Sequence, residues 1–225
     1  MLCGKGVVAI WNGITEEGRT DFYQWHIHEH MPERASIPGF LRGRRYRAVD
    51  KDTRPEFFTL YEVERFEVLK GEEYANRLNA PTPWTRRATE HFLNTSRGLA
   101  RVHSSLGPGP GGMLATIRFQ SPASEEQKVI DELTVLLGEI MQHPLISGAH
   151  LCKSDEEASG IRTAESKGRK DLDAPPRWFI LIEACTAEAL EVPIRTLLRH
   201  PAVEEPQVGR YQHEYTRLQT DATAG

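Results

Sequence analysis

Apolar and polar positions along the chain fall into short alternating blocks and longer blocks at helical spacing, and the two kinds recur in one order. Gly6 to Asn12 (GVVAIWN) is an apolar run closed by Asn12-Gly13 and predicts a strand. A helix is predicted from about Asp21 to Ala35, with Asp21 as its N-cap and Pro32 near its end. Gly39 to Arg47 and Glu56 to Val63 alternate as two strands around a turn rich in Asp, Lys and Pro. Short helices are expected over Glu72 to Asn79 and Thr85 to Asn94, and Gly98 to Ser105 closes the series as a strand. The order is β-α-β-β-α-β.

The run Gly107-Pro-Gly-Pro-Gly-Gly112 then marks a linker, and the order begins again. Met113 to Phe119 predicts a strand, and Glu125 to Gln142 a helix carrying Ile130, Leu133, Leu137 and Ile140. His150 to Lys153 and Trp178 to Cys185 predict strands. A further helix holds Leu190, Ile194, Leu197 and Leu198, where Pro193 should kink or restart it, and Val208 to Leu218 is the last strand. Residues 1–107 and 113–220 thus predict an α+β fold, a tandem duplication of a ferredoxin-like βαββαβ unit. The bare faces of the two sheets would cover each other, forming an intrachain dimeric α/β-barrel. The central strands FFTLYEV and WFILIEAC lack the alternation of a water-facing sheet, which predicts burial on both sides. Lys153 to Pro176 is long, charged and rich in Ser, Ala and Gly; a mobile excursion is expected, with a lid as the second reading.

With 225 residues the chain can bury a core in one large domain or two small ones. No apolar run approaches the ~18 residues of a membrane helix, and mean hydropathy is −0.50. The N-terminus shows no signal-peptide pattern, so a soluble, cytoplasmic protein without a membrane partner is expected. Cys3, Cys152 and Cys185 lack metal spacing and read as free thiols of a reducing compartment, with Cys152 and Cys185 unbonded. A net charge of −4 argues against a duplex-binding surface. The third strand of each unit lacks the basic and glycine positions of an RNA-recognition motif, so no nucleic-acid partner is expected. No GxGxxG or Walker loop is present, and no cofactor is assigned.

The unusual segment runs from Phe22 to Arg34. At about 100° per residue, Phe22, Tyr23, Ile27 and Met31 share an apolar arc that takes in His26 and His30 and leaves His28 outside. Glu29 and Glu33 flank His26 and can orient an imidazole or raise its pKa. The plain alternative is a hydrogen-bonded structural histidine beneath a helix. His26-x-x-Glu29-His30 also fits the inverted zinc-protease pattern, but no third ligand is tied to it and no metal is assigned.

Trp25-His-Ile-His-Glu-His-Met-Pro-Glu-Arg34, followed by Ile37-Pro-Gly-Phe-Leu-Arg42 and Arg45-Tyr46, resembles the helix-to-strand signature of the dimeric α/β-barrel proteins. The similarity is to their EthD-like branch and to uncharacterised bacterial proteins with tandem copies of the unit. Asn79-Ala-Pro-Thr-Pro-Trp-Thr-Arg-Arg87 is similar to part of the same tandem group. The signature covers the first half, and the second half resembles it only in element order. Relatives include cofactor-free lactone isomerases, small monooxygenases of quinone-forming pathways and haem-handling enzymes. The resemblance places Glu29, His30 and Pro32, as the family's EH-x-P element, at the end of the first helix near a ligand pocket. Glu125 to Pro144 has neither a Glu-His pair nor a tryptophan, which implies one site per chain.

The enzyme reading makes His30 a general base or acid on a small oxygenated molecule, with Glu29 or His26 holding its tautomer and Tyr61 steadying an enolate. Isomerisation, cyclisation, decarboxylation and O₂-dependent oxidation all fit that reading. Trp25, Tyr46 and Trp84 are candidates to line the pocket. The alternative is a ligand-binding or accessory protein of a catabolic pathway, without turnover. Arg42, Arg44, Arg45 and Arg47 could collect an anionic substrate, or simply protect an edge strand. Free edge strands and helix backs predict a homodimer.

Overall fold

A computed structural model describes residues 1–166 and 172–219. Its strands are β1 (Gly6–Ile14), β2 (Phe40–Ala48), β3 (Phe57–Val63), β4 (Phe92–Leu106), β5 (Met113–Gln120), β6 (Ile146–Ser154), β7 (Leu172–Asp173), β8 (Trp178–Ala184) and β9 (Glu204–Leu218). All but the two-residue β7 close into one antiparallel barrel, in the order β1-β3-β2-β9-β5-β8-β6-β4, with β4 returning to β1. Strands of residues 6–106 run β2-β3-β1-β4 and those of 113–218 run β6-β8-β5-β9, the same order by position. The two arcs join where β2 pairs with β9 and β4 with β6. Those joints overturn the expectation of free edges, because each outer strand takes its hydrogen bonds from the other arc. The edge-strand argument for a homodimer therefore fails among the described residues.

Alternation sorts each strand between lumen and helix layer. Val7, Trp11, Phe58, Leu60, Phe179 and Tyr211 fill the lumen. Val8, Tyr61 and Val63 turn outward beneath the helices of the first arc, and Ile180 and Ile182 pack on α5 (Glu126–Ile140) and α7 (Glu191–Leu198). With both faces covered, every residue of β3 and β8 is buried, as their unbroken apolar runs predict.

The arginines of β2 do not guard an edge. Arg44 lies in the lumen between Glu62 (2.9 Å) and Glu183 (2.8 Å), and Arg42 donates to Glu62 at 2.9 Å. His150 completes the group, with Nε2 3.2 Å from Glu183 and Nδ1 3.0 Å from the Ser105 hydroxyl. Burial alone would raise the Glu183 carboxyl, but the His150 and Arg44 contacts hold its pKa down to about 2.

Several boundaries move for identifiable reasons. β1 runs through Asn12-Gly13 to Ile14 by a bulge instead of turning there. α4 (Pro83–Thr89) stops early because β4 already begins at Phe92. Gly18, not Asp21, precedes the first helix, and Asp21 instead accepts from Trp84 and Arg87. Pro193 is the third residue of α7, where an N–H has no intrahelical partner to lose, so it restarts the helix without kinking it. Cys152 lies opposite Phe179, Cys185 sits beyond the far end of β8, and all three cysteines are free.

The expectation of a mobile excursion after β6 is also corrected where residues are described; 167–171 lie outside the described residues. α6 (Glu156–Gly160) is capped by Asp155, buries Ala158 in the first arc's core, and its Ser159 hydroxyl accepts from Leu99 N–H. Glu165 N–H donates to Leu78 C=O, and β7 pairs in parallel with Thr95–Ser96 of β4. The described parts of the segment are docked by hydrogen bonds to the first arc.

Candidate functional site

The first helix is continuous but not uniform. α1 (Arg19–Trp25) passes into one π turn over His26–His30, and α2 (Met31–Ala35) completes it. A π turn is rare and often marks a functional position. Here its wider winding brings residues four apart almost into line. His26 and His30 stack with ring centroids 5.7 Å apart and planes 20° from parallel, and each is only 4% exposed. Phe22 extends the column, stacking on His26 at 5.2 Å, and Trp25 covers His30 at 4.2 Å. Tyr61 meets His30 edge-on from the sheet below at 6.2 Å.

His26 accepts a hydrogen bond at Nδ1 from Arg45 Nη1 (3.2 Å), which leaves its proton on Nε2. Burial pushes its pKa well below 6.5, and the charges of His30, Arg45 and Arg34 add to that, so the imidazole is neutral. Arg45 in turn donates to Glu214 at 3.0 Å and lies 4.5 Å from the centre of the Tyr23 ring. Tyr61 is buried, its hydroxyl has no hydrogen-bond partner among the described residues, and burial raises its pKa.

The other expected residues divide. Glu29 accepts from the hydroxyls of Thr82 (2.6 Å) and Thr85 (3.3 Å), tying the helix to the start of α4. Glu33 accepts from Arg34 at 2.9 Å rather than facing His26, and burial raises its pKa. Trp25 donates to Thr85 at 3.1 Å, beside the histidines. Trp84 donates to Asp21 at 3.0 Å, at the start of the helix. Tyr46 points into the lumen against Phe58 and His213, so the sheet separates it from His30 and it cannot share that site. His28 is exposed, as the helical arc predicts.

Stacked imidazoles with Glu29 turned toward Thr82 do not converge as the zinc-protease pattern would require. Among the described residues, no group of three His, Cys, Asp or Glu is placed to hold a metal ion.

No protein-family model matches the chain, and no curated protein matches its sequence. Solved structures do match over nearly its whole length. An anthrone oxidase-like protein superposes with a TM-score of 0.61 at 15% identity, covering 97% of this chain and 95% of that one. A protein named as a monooxygenase from Lactobacillus acidophilus NCFM gives 0.56 at 11% identity, covering 96% and 97%. The fold is the ferredoxin-like dimeric α/β barrel. A haem-binding protein from Thermus thermophilus shares it, with a TM-score of 0.51 at 10% identity and coverage of 94% and 92%. Identity this low carries the fold of the α/β barrel and nothing finer.

Within this barrel the site includes residues that sequence reasoning passed over. Arg45 was visible only as one of four arginines; strand alternation already separates it from Arg44, and that signal assigns it to the helix side. Arg34 is buried and forms an ion pair with Glu165, which the docked segment after β6 supplies. Nothing in local sequence joins residues so far apart. Glu214 reaches the site only because β9 pairs with β2.

Proposed function

We propose that the chain is a small-molecule enzyme that transfers a proton without a cofactor, acting between the first helix and the sheet beneath it. Tyr61 carries this reading. Its hydroxyl is buried beside His30 and, among the described residues, makes no hydrogen bond, a state that costs about 1–3 kcal/mol of lost solvation. A substrate oxygen accepting that proton would recover the loss, and the bond would strengthen as the oxygen gains charge. His30 would take the proton from carbon next to the carbonyl, while neutral His26, fixed in tautomer by Arg45, holds the stack above it.

The neighbours' names choose the first substrate to try. For an anthrone, proton removal from the ring methylene gives an enolate, which reduces O₂; ketone plus O₂ becomes quinone plus water. Oxygen uptake and quinone absorbance, corrected for the uncatalysed reaction, test this. His30→Gln should lower the rate by about 10²–10⁴, Tyr61→Phe should lower it too, and His28→Gln should leave it unchanged. Equal rates in wild type and His30→Gln would overturn the reading.

The second reading is a binding protein, favoured by the haem-binding neighbour. Haem itself does not suit these residues: His26 and His30 are both buried, which leaves no room for a macrocycle beside either ring nitrogen. The finer affinities belong here as well. Equal strand order in the two arcs supports reading 1–107 and 113–220 as copies of one unit of an EthD-like type, with the site kept only in the first. Three free cysteines suit a reducing, cytoplasmic setting. A homodimer would have to form through helix backs, where Val135 and Leu198 are exposed.

A further inference from the structure

We propose that the cavity at the end of the barrel where β5 stops binds a free α-amino acid as its zwitterion. This site is separate from the histidines and does not depend on the proton-transfer reading. Its cation is Arg118. Leu114, Thr116 and Arg118 alternate along β5 toward the lumen, where Thr116 accepts from the Trp11 indole at 3.2 Å. The Arg118 guanidinium ends that row, 5.2 Å from the centre of the Trp11 ring, with Nη2 donating to Arg54 C=O at 3.3 Å.

That is little compensation for a cation largely out of water. Arg34, Arg42, Arg44 and Arg45 each pair with a carboxylate. Arg118 has no ion pair among the described residues, and its Nε is buried without a hydrogen bond. Burial accordingly lowers its pKa. A buried charge is costly unless paired, and a carboxylate from solution would supply the pair. Nη1, neither hydrogen-bonded nor sealed from solvent, is the atom that can receive it.

The cavity beside Arg118 has a volume of about 360 Å³ and is lined by Gln120, Asp173, Pro175, Glu205 and Gln207, among others. Asp173 and Glu205 are exposed, and neither carboxylate is engaged by another side chain among the described residues. The charge of Asp173 acts on Arg118, but not at ion-pair distance. A simple anion would be repelled by the two acids, and a simple cation by Arg118. A zwitterion satisfies both signs, with its carboxylate on the Arg118 fork and its ammonium on Asp173 or Glu205. Gln120 and Gln207 supply amides for a polar side chain, so glutamine suits the wall.

The backbone holds these groups in place. β5 and β9 shift register between Arg118 and Gln120, and Glu205 adopts a φ of +47°, a region that residues with side chains rarely enter. Asp173 pairs with Ser96 in the sheet, and the Ser96 hydroxyl donates to Ala174 C=O at 2.9 Å.

Calorimetry with L-glutamine, N-acetyl-L-glutamine and L-glutaminamide tests the charge pattern, since each analogue lacks one of the two charges. Wild type should bind glutamine about 10-fold or more tightly than either analogue. Arg118→Gln should erase the advantage over glutaminamide. Asp173→Asn combined with Glu205→Gln should erase the advantage over N-acetylglutamine. Arg195→Gln, an exposed change on α7, should alter nothing. No binding of glutamine, equal binding of the analogues, or an advantage over glutaminamide that survives in folded Arg118→Gln would overturn the proposal. Should Arg118→Gln fail to fold, the exposed double variant decides: a lost preference over N-acetylglutamine sustains the site, and an unchanged one removes it.

Discussion

Burial sets the charge state of His26 before any neighbour acts on it. Its folded-state pKa lies well below 6.5, so the unfolded chain binds a proton that the folded chain refuses. The stability this neutral imidazole contributes is present above about pH 6.5 and is lost as pH falls toward the depressed folded value. The urea midpoint of wild type should therefore drop between about pH 7.5 and about pH 5.5. His26→Phe should show a shallower drop, and His150, depressed by burial in the lumen, should keep part of the slope. An identical slope in variant and wild type would count against a neutral, buried His26.

Elements meet the site through their ends. Thr82 caps α4 by accepting from Thr85 N–H at 2.9 Å, and its hydroxyl donates to Glu29. One side chain thus anchors the helix that carries Trp84 and the π turn that carries both histidines. Thr82→Ala should cost about 0.5–2 kcal/mol, measured as a lower urea midpoint. Thr82→Ser keeps both bonds and should restore most of that loss. The π turn belongs to this scale as well: a strict α-helix would offset His26 and His30 around the axis, whereas the wider turn stacks them.

Across the whole molecule, closure of the barrel brings charges of one arc into the other. Arg44 of β2 is bonded to Glu62 of its own arc and to Glu183 of β8. Arg44→Met would leave two lumen carboxylates without their shared cation. We expect a loss of about 3–5 kcal/mol in chemical denaturation. A near-neutral result would mean that the lumen admits enough water to solvate Glu62 and Glu183.

Local pattern was enough for the strand and helix order, the linker at Gly107–Gly112, and the inward turn of His26 and His30. Each depends on periodicity, which is set within one or two turns of chain. The unbroken apolar runs of β3 and β8 even announced that both sheet faces would be covered. Tertiary structure alone decided the rest. Pairing of β2 with β9 and of β4 with β6 removed the edges, moved Arg44 into a lumen and Tyr46 to the wrong side of the sheet, and delivered Glu214 to Arg45. Docking of the segment after β6 brought Glu165 to Arg34. Contacts of this kind join residues far apart along the chain, and no local period encodes them; they follow from which surfaces remain uncovered once the arcs have formed.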